Sequence, residues 1–208
     1  MKRIICVCTG DKFHPWFVDN LKYMIDTHSG IEYDEFEVIT DNPYNGVFNK
    51  LLMFDKFRDG SNLYFDLDIV ITGKVSNLFR NDLTLLHAWW RDVWHTPLNS
   101  SIIAWMGDQS HIHDTFAKDK DTFIAEYSGW FGLETAKKGM DEYIYKHILS
   151  YETYGKVCCS IKNLEQPWGI KKEDYNIWLF NQRHFYMTDD GWPTWWKDYF
   201  LPLPEGAF

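Results

Sequence analysis

Hydrophobic positions fall in short unbroken runs and in helical spacings that alternate along the chain. Ile4-Ile5-Cys6-Val7-Cys8 is continuous and stops at Thr9-Gly10-Asp11, as a strand buried on both faces stops at a loop. From Pro15 onward Phe17, Val18, Leu21, Met24 and Ile25 recur at helical spacing, with Pro15 suited to a first turn. Glu35 to Ile39 predicts a second strand, closed by Asp41-Asn42-Pro43 and Asn45-Gly46. A helix is expected from about Phe48 to Phe57. Arg58-Asp59-Gly60-Ser61 breaks it, and Asn62-Leu63-Tyr64-Phe65 predicts a third strand running into Asp66-Leu67-Asp68. Leu83 to Trp90 and Ser101 to Trp105 read as further strands, and Gly139 to Leu149 as a helix.

This alternation predicts an α/β fold with a mostly parallel central sheet. The last fifty residues are less regular, with strands expected at Val157 to Ile161 and Ile177 to Phe180 before a Trp-rich tail. Leu201 to Gly206 reads as a loose terminus. A length of 208 residues suits one sizeable core, so residues 1–208 are expected to form one domain.

Composition narrows the function. With 45% hydrophobic and 25% charged residues the chain lies far from the composition of disordered segments. A net charge of −9 without a basic run excludes the charge stripe that nucleic acid requires. The apolar run behind Met1-Lys2-Arg3 is too short for a secretion signal or a membrane span, which predicts a cytoplasmic protein with no transmembrane segment. Cys6 and Cys8, like the adjacent Cys158 and Cys159, lack zinc-knuckle spacing and read as buried thiols. Aromatic residues reach 18%; flat rings suit sugar faces, and they also fill cores.

The chemistry concentrates at Asp66-Leu67-Asp68. In extended backbone alternate side chains share a side, so both carboxylates face one way while Leu67 faces the core. They stand at the end of an apolar strand, where open α/β sheets collect ligands. Two like charges held that close repel unless a cation sits between them, and hard oxygen ligands favour Mg²⁺ or Mn²⁺. A bare Asp-x-Asp also occurs in solvated turns, but here Leu63-Tyr64-Phe65 precedes the pair and Ile69-Val70-Ile71 follows it. Asp66-Leu67-Asp68-Ile69-Val70 fits a second chemistry as well, the nucleophile loop of haloacid-dehalogenase-type phosphatases, with Asp189-Asp190 as a later acidic pair. His111-Ile112-His113-Asp114 invites a metal reading too, but helix residues two apart do not share a face, and a helix start is expected there.

The stretch Phe48-Asn49-Lys50-Leu51-Leu52 through Leu63 to Gly73 resembles the donor-site segment of GT-A glycosyltransferases, especially the family-8-like group and its bacterial and viral relatives. Thr9-Gly10-Asp11-Lys12-Phe13 resembles the first nucleotide-binding loop of that group. Asn99-Ser100-Ser101 is similar to its Asn-Ser segment beside the donor sugar, and Gly139-Met140-Asp141-Glu142 to its Gly-Asp-Gln segment. The resemblance implies a Rossmann-like GT-A domain whose residues 1–110 bind the donor, with residues 111–208 forming the acceptor half. It implies transfer of a sugar from a nucleotide-diphosphate donor, with uridine favoured, to a carbohydrate or other hydroxyl acceptor. Thr9, Gly10, Asp11, Lys12, Lys50, Asp66, Asn99 and Ser100 would line the donor site. Asp141 and Glu142 would stand at the reacting carbon, and Asp66, Asp68 and Asn181 would hold the metal. The group offers a late His where this chain has Asn181, so His184 is the alternative third ligand and Arg183 a candidate to neutralise the diphosphate. The same departure leaves open a catalytically inactive sugar- or nucleotide-binding module. Retention would use Asp141 or Glu142 at the anomeric carbon, and inversion would use one of them as base.

Overall fold

The structure, a computed structural model, describes residues 1–44, 46–75, 77–91, 95–131, 136–164, 169–180, 195–202 and 204. Its elements run β1 (Lys2–Val7), α1 (Trp16–Met24), β2 (Glu35–Ile39), α2 (Leu52–Lys56), β3 (Ser61–Phe65), β4 (Ile69–Ile71), β5 (Thr84–His87) and β6 (Leu98–Met106). There follow α3 (Ser110–Lys118), α4 (Lys120–Tyr127), β7 (Trp130–Phe131), β8 (Ala136–Lys137), α5 (Gly139–His147), β9 (Glu152–Tyr154), β10 (Cys159–Ser160) and β11 (Ile177–Leu179).

The central sheet has six strands in the order β2-β1-β3-β6-β5-β9. Pairing is parallel for β2-β1, β1-β3 and β5-β9 and antiparallel on both sides of β6, so five strands share one direction and β6 alone is reversed. The expectation of a mostly parallel sheet holds in this mixed form. A smaller sheet, β10-β11-β4, packs beside it.

Period-two alternation divides the core between the two faces of the sheet. Ile4, Cys6, Leu63, Phe65, Ile102 and Ala104 face α1 and the small sheet, whereas Ile5, Tyr64, Ile103 and Trp105 face α2, α3 and α5. Both faces are covered, and the runs read as continuously apolar for that reason.

Several expected elements shift. The helix from Phe48 opens as a 3-10 segment, Gly46–Leu51, before the short α2. The strand expected to reach Trp90 stops at His87, where Ala88 to Arg91 forms a turn closed by Arg91 N–H on Ala88 O. Ser101 to Trp105 is the middle of the longer β6. α3 and α4 are separate helices broken at Asp119. Residues 201 and 202 are not loose: Leu201 N–H donates to Asn20 Oδ1, and Pro202 O accepts the indole N–H of Trp16. Burial of Trp196 against Phe180, ring centroids 5.0 Å apart, anchors that segment. Among the described residues no helix is long and apolar enough to cross a membrane.

Candidate functional site

A cavity of about 440 Å³ opens at the edge where β1 and β3 end. Because β6 runs the other way, it delivers its beginning, Asn99 to Ser101, to the same edge, and α5 points its N-terminus there through Gly139, Met140 and Asp141. This is where an open α/β sheet leaves a crevice, and a helix N-terminus adds a pole favourable to anions.

Backbone pairing sets the two aspartates. Asp66 N–H donates to Ser101 O, extending the β3-β6 ladder by one residue, while Asp68 O accepts from Phe180 N–H at the end of β11. Leu67 is buried in the core between them. Asp66 Oδ1 takes the Lys50 ammonium at 2.5 Å and the Tyr64 hydroxyl at 2.5 Å, and among the described residues nothing donates to its Oδ2. Asp68 is 6% exposed and has no ion pair among the described residues. Burial and the neighbouring Asp66 charge push its carboxyl up to about 6, against the pull of Lys12 and Lys50. Burial and the same Asp66 charge drive the Tyr64 phenol well above its usual range.

Across the cavity Asp141 is saturated with donors. Its Oδ1 accepts Ser100 N–H at 3.0 Å and Ser100 Oγ–H at 2.5 Å, and its Oδ2 accepts Arg91 Nη2 at 2.7 Å and Asn99 Nδ2 at 3.4 Å. Burial alone would raise this carboxyl, but Arg91, Lys50 and Ser100 outweigh it and hold the group below the usual carboxylate range. A carboxylate so bound is a poor base and a poor nucleophile, and a good tether between α5 and β6.

Of the residues singled out from sequence, Thr9, Lys12, Lys50, Asp66, Asp68, Asn99, Ser100 and Asp141 line this one cavity. Gly10, Asp11 and Glu142 are not among the lining residues. Glu142 is buried on α5, 3.7 Å from Lys146, and Asp11 lies on the exposed loop surface. Asn181, Arg183, His184 and Asp189-Asp190 lie outside the described residues.

Sequence reasoning missed Arg91, which bridges Leu98 O at 2.9 Å and Asp141, and Asn49, a fully buried amide that donates to Asn42 Oδ1 at 2.7 Å and reaches Thr9 Oγ1 at 3.3 Å. The signal for Asn49 was an amide inside the apolar run Phe48 to Phe54; for Arg91 it was a cation just past a strand end. Away from the cavity, Asp55 on α2 meets His113 and Asp114 on α3, with candidate ligand atoms within 4.8 Å of one another, a group that could hold a metal ion. The objection to His111 and His113 as a local pair stands, since His111 takes no part. The segment is a helix start, as expected, since α3 opens at Ser110; the third member of the group, Asp55, comes from another helix.

The α/β fold, with its mixed six-stranded central sheet, matches solved structures of GT-A glycosyltransferases. The galactosyltransferase LgtC, solved with donor and acceptor sugar analogues, is similar with a TM-score of 0.61 at 12% identity, over 98% of each chain. The glycosyltransferase GlyE of Streptococcus pneumoniae TIGR4 gives 0.60 at 10% identity, over 95% of this chain; the chain spans 59% of GlyE. A glycosyltransferase involved in glycosylation of the major capsid of PBCV-1 gives 0.53 at 11%, over 86% of this chain and 92% of that one. No family profile and no curated protein matches the sequence.

Proposed function

We propose that this chain is a metal-dependent glycosyltransferase that moves a sugar from a nucleoside-diphosphate donor, with uridine as the favoured base, to an acceptor hydroxyl. The observation that carries this reading is the charge of the cavity. Among the described residues, Lys12, Lys50, Arg91 and Lys138 line it against Asp66, Asp68 and Asp141, four cations to three carboxylates, a surplus of one positive charge in a chain of net charge −9. An anionic diphosphate fits there, and the N-terminus of α5 adds to the attraction.

The donor set suits a hard divalent ion. Among the described residues, Asp66 Oδ2 accepts no donor and the buried Asp68 carboxylate makes no ion pair, so both are oxygen ligands open to a cation, and Mg²⁺ or Mn²⁺ commonly adds phosphate and water to two such ligands. When bound, the ion supplies Lewis-acid stabilisation of the departing diphosphate. Lys50, fixed between Asp66 and Ser100 Oγ, is placed to neutralise the same charge, and Lys12 approaches from the first loop. Asn99 and Ser100 present hydrogen-bonding groups at the start of β6. Asp141 serves as a positioning residue that holds Ser100 and Arg91 in place.

The test is a thermal shift with UDP, with and without Mn²⁺, beside a donor-hydrolysis assay. At a ligand concentration of about a hundred times Kd, stabilisation is about 2.7 kcal/mol, or roughly 5–10 °C for a chain of this size. The shift is expected in wild type with Mn²⁺ and is expected to disappear in Asp66→Ala and Asp68→Ala, while His113→Ala keeps it. An Asp66→Ala protein that responds to UDP and Mn²⁺ as wild type does would refute the reading. Binding without turnover in any donor assay favours the inactive module.

A further inference from the structure

We propose that Tyr64 is a positioning residue for the metal, its buried hydroxyl holding the Asp66 carboxylate in the orientation in which that group binds the cation. The proposal rests on the metal-dependent reading of the cavity and adds to it a residue that acts through a ligand rather than as one.

Tyr64 is a core residue that carries one polar atom. On β3 it pairs with Ile5 of β1 and Ile103 of β6, only 1% of it is exposed, and it packs in the core with Ile5, Ile103 and Trp105. Packing there asks for a ring and not for a hydroxyl, and a buried hydroxyl without a partner is costly. The partner is Asp66. Two residues apart on extended backbone, Tyr64 and Asp66 share a face, and the phenol reaches Asp66 Oδ1 at 2.5 Å. A phenol keeps its proton at neutral pH, so the hydroxyl donates and the carboxylate accepts.

The consequence falls on the other oxygen. The terminal torsion of an aspartate is broad by nature, but here Tyr64 and Lys50 both fasten on Oδ1, each at 2.5 Å. That leaves Oδ2 as the one oxygen open to a cation, offered in one direction. Mg²⁺ in particular demands near-ideal octahedral geometry, which a ligand held in this way satisfies without further ordering. Lys50 is shared with Ser100 Oγ at 3.3 Å and, in the proposed function, with the diphosphate. The Tyr64 hydroxyl makes no other hydrogen bond among the described residues, so its hold on Asp66 is undivided. Its ring also lies 5.4 Å from the Lys50 ammonium, a contact that phenylalanine would keep.

Tyr143 is the matched control. It is fully buried in the same part of the core, its hydroxyl donates to Ile112 O at 2.8 Å, and it is not among the residues that line the cavity.

The experiment titrates Mn²⁺ into the full chain with UDP present, following the EPR signal of the free ion against a protein-free UDP blank. Wild type, Tyr64→Phe, Tyr143→Phe and Asp66→Ala are compared, with a urea midpoint for each. Tyr64→Phe keeps the ring in the core and beside Lys50, so the fold is retained. A hydrogen bond to a ligating group is worth about 10- to 100-fold in metal affinity, and Tyr64→Phe is expected to weaken Mn²⁺ by about that factor. Tyr143→Phe is expected to bind Mn²⁺ as wild type does while losing comparable stability. Wild-type affinity in Tyr64→Phe, or equal weakening in Tyr143→Phe, would overturn the proposal. Wild type that takes up no Mn²⁺ beyond the blank, or Asp66→Ala that takes up as much as wild type, would instead overturn the metal-dependent reading and the role of Tyr64 with it.

Discussion

Replacing Asp141 by Asn tests the tether at the heart of the cavity. The carboxylate accepts four donors, two from Ser100 on Oδ1 and one each from Arg91 and Asn99 on Oδ2. An amide of the same shape must turn its NH₂ toward one of these pairs, setting donor against donor and leaving the Arg91 guanidinium uncompensated. Removing one partner of a fully buried pair costs about 3–5 kcal/mol. Here the Arg91 and Asp141 side chains keep 21% and 18% of their surface accessible, which places the cost nearer about 2–3 kcal/mol. At roughly 2–4 °C per kcal/mol, Asp141→Asn should melt about 4–12 °C below wild type. The pH dependence follows from the lowered folded-state carboxyl. Its contribution is fully present above the unfolded value of about 3.9 and is lost as pH falls through the lower folded value. Scanning calorimetry should therefore show a constant gap between the two proteins from pH 8 to pH 5 that narrows in stronger acid. A gap below 1 °C at pH 7, or one that widens on acidification, would refute the network as described.

Other consequences are as direct. Gly60 adopts φ +69°, and a Cβ there would stand 2.9 Å from Met1 O and 3.1 Å from Arg3 Nη1, so Gly60→Ala should lose more than the 1–2 kcal/mol of a left-handed residue, read from the urea midpoint. Trp196 is fully buried, so Trp196→Ala should cost about 3–5 kcal/mol, whereas Trp196→Phe, which keeps a ring against Phe180 and removes an indole N–H with no partner among the described residues, should cost well under half of that in the same assay. Burial pushes all four thiols up, most firmly Cys6 and Cys158, while Cys8 is only half-buried. Iodoacetamide at neutral pH should therefore label Cys8 first and leave Cys6, Cys158 and Cys159 unmodified until denaturant is added, as followed by peptide mass.

Much of the candidate cavity was legible because its residues sit where strands end. Thr9 and Lys12 follow β1, Asp66 and Asp68 follow β3, and an apolar run ending in a polar cluster announces such a place in the sequence itself. Glu142 was less legible than its neighbour Asp141, since adjacent residues on a helix point about 100° apart and only one of them faces the cavity. The Asp55, His113 and Asp114 group escaped local reading because α2 and α3 meet only through the fold. The ordered segment at 201 and 202 escaped for the same reason, its partners Asn20 and Trp16 lying more than 180 residues away.

The sequence by itself determined the first three strands, the two-faced burial of the sheet and the placing of Asp66 and Asp68 on either side of a core leucine, because period-two alternation and turn chemistry act over a few residues. Only the tertiary structure decided that β6 runs backward and brings Asn99 and Ser100 to the same edge, and that Arg91 occupies Asp141. Those outcomes depend on which distant segments share one buried space, and spacing along the chain does not carry that information.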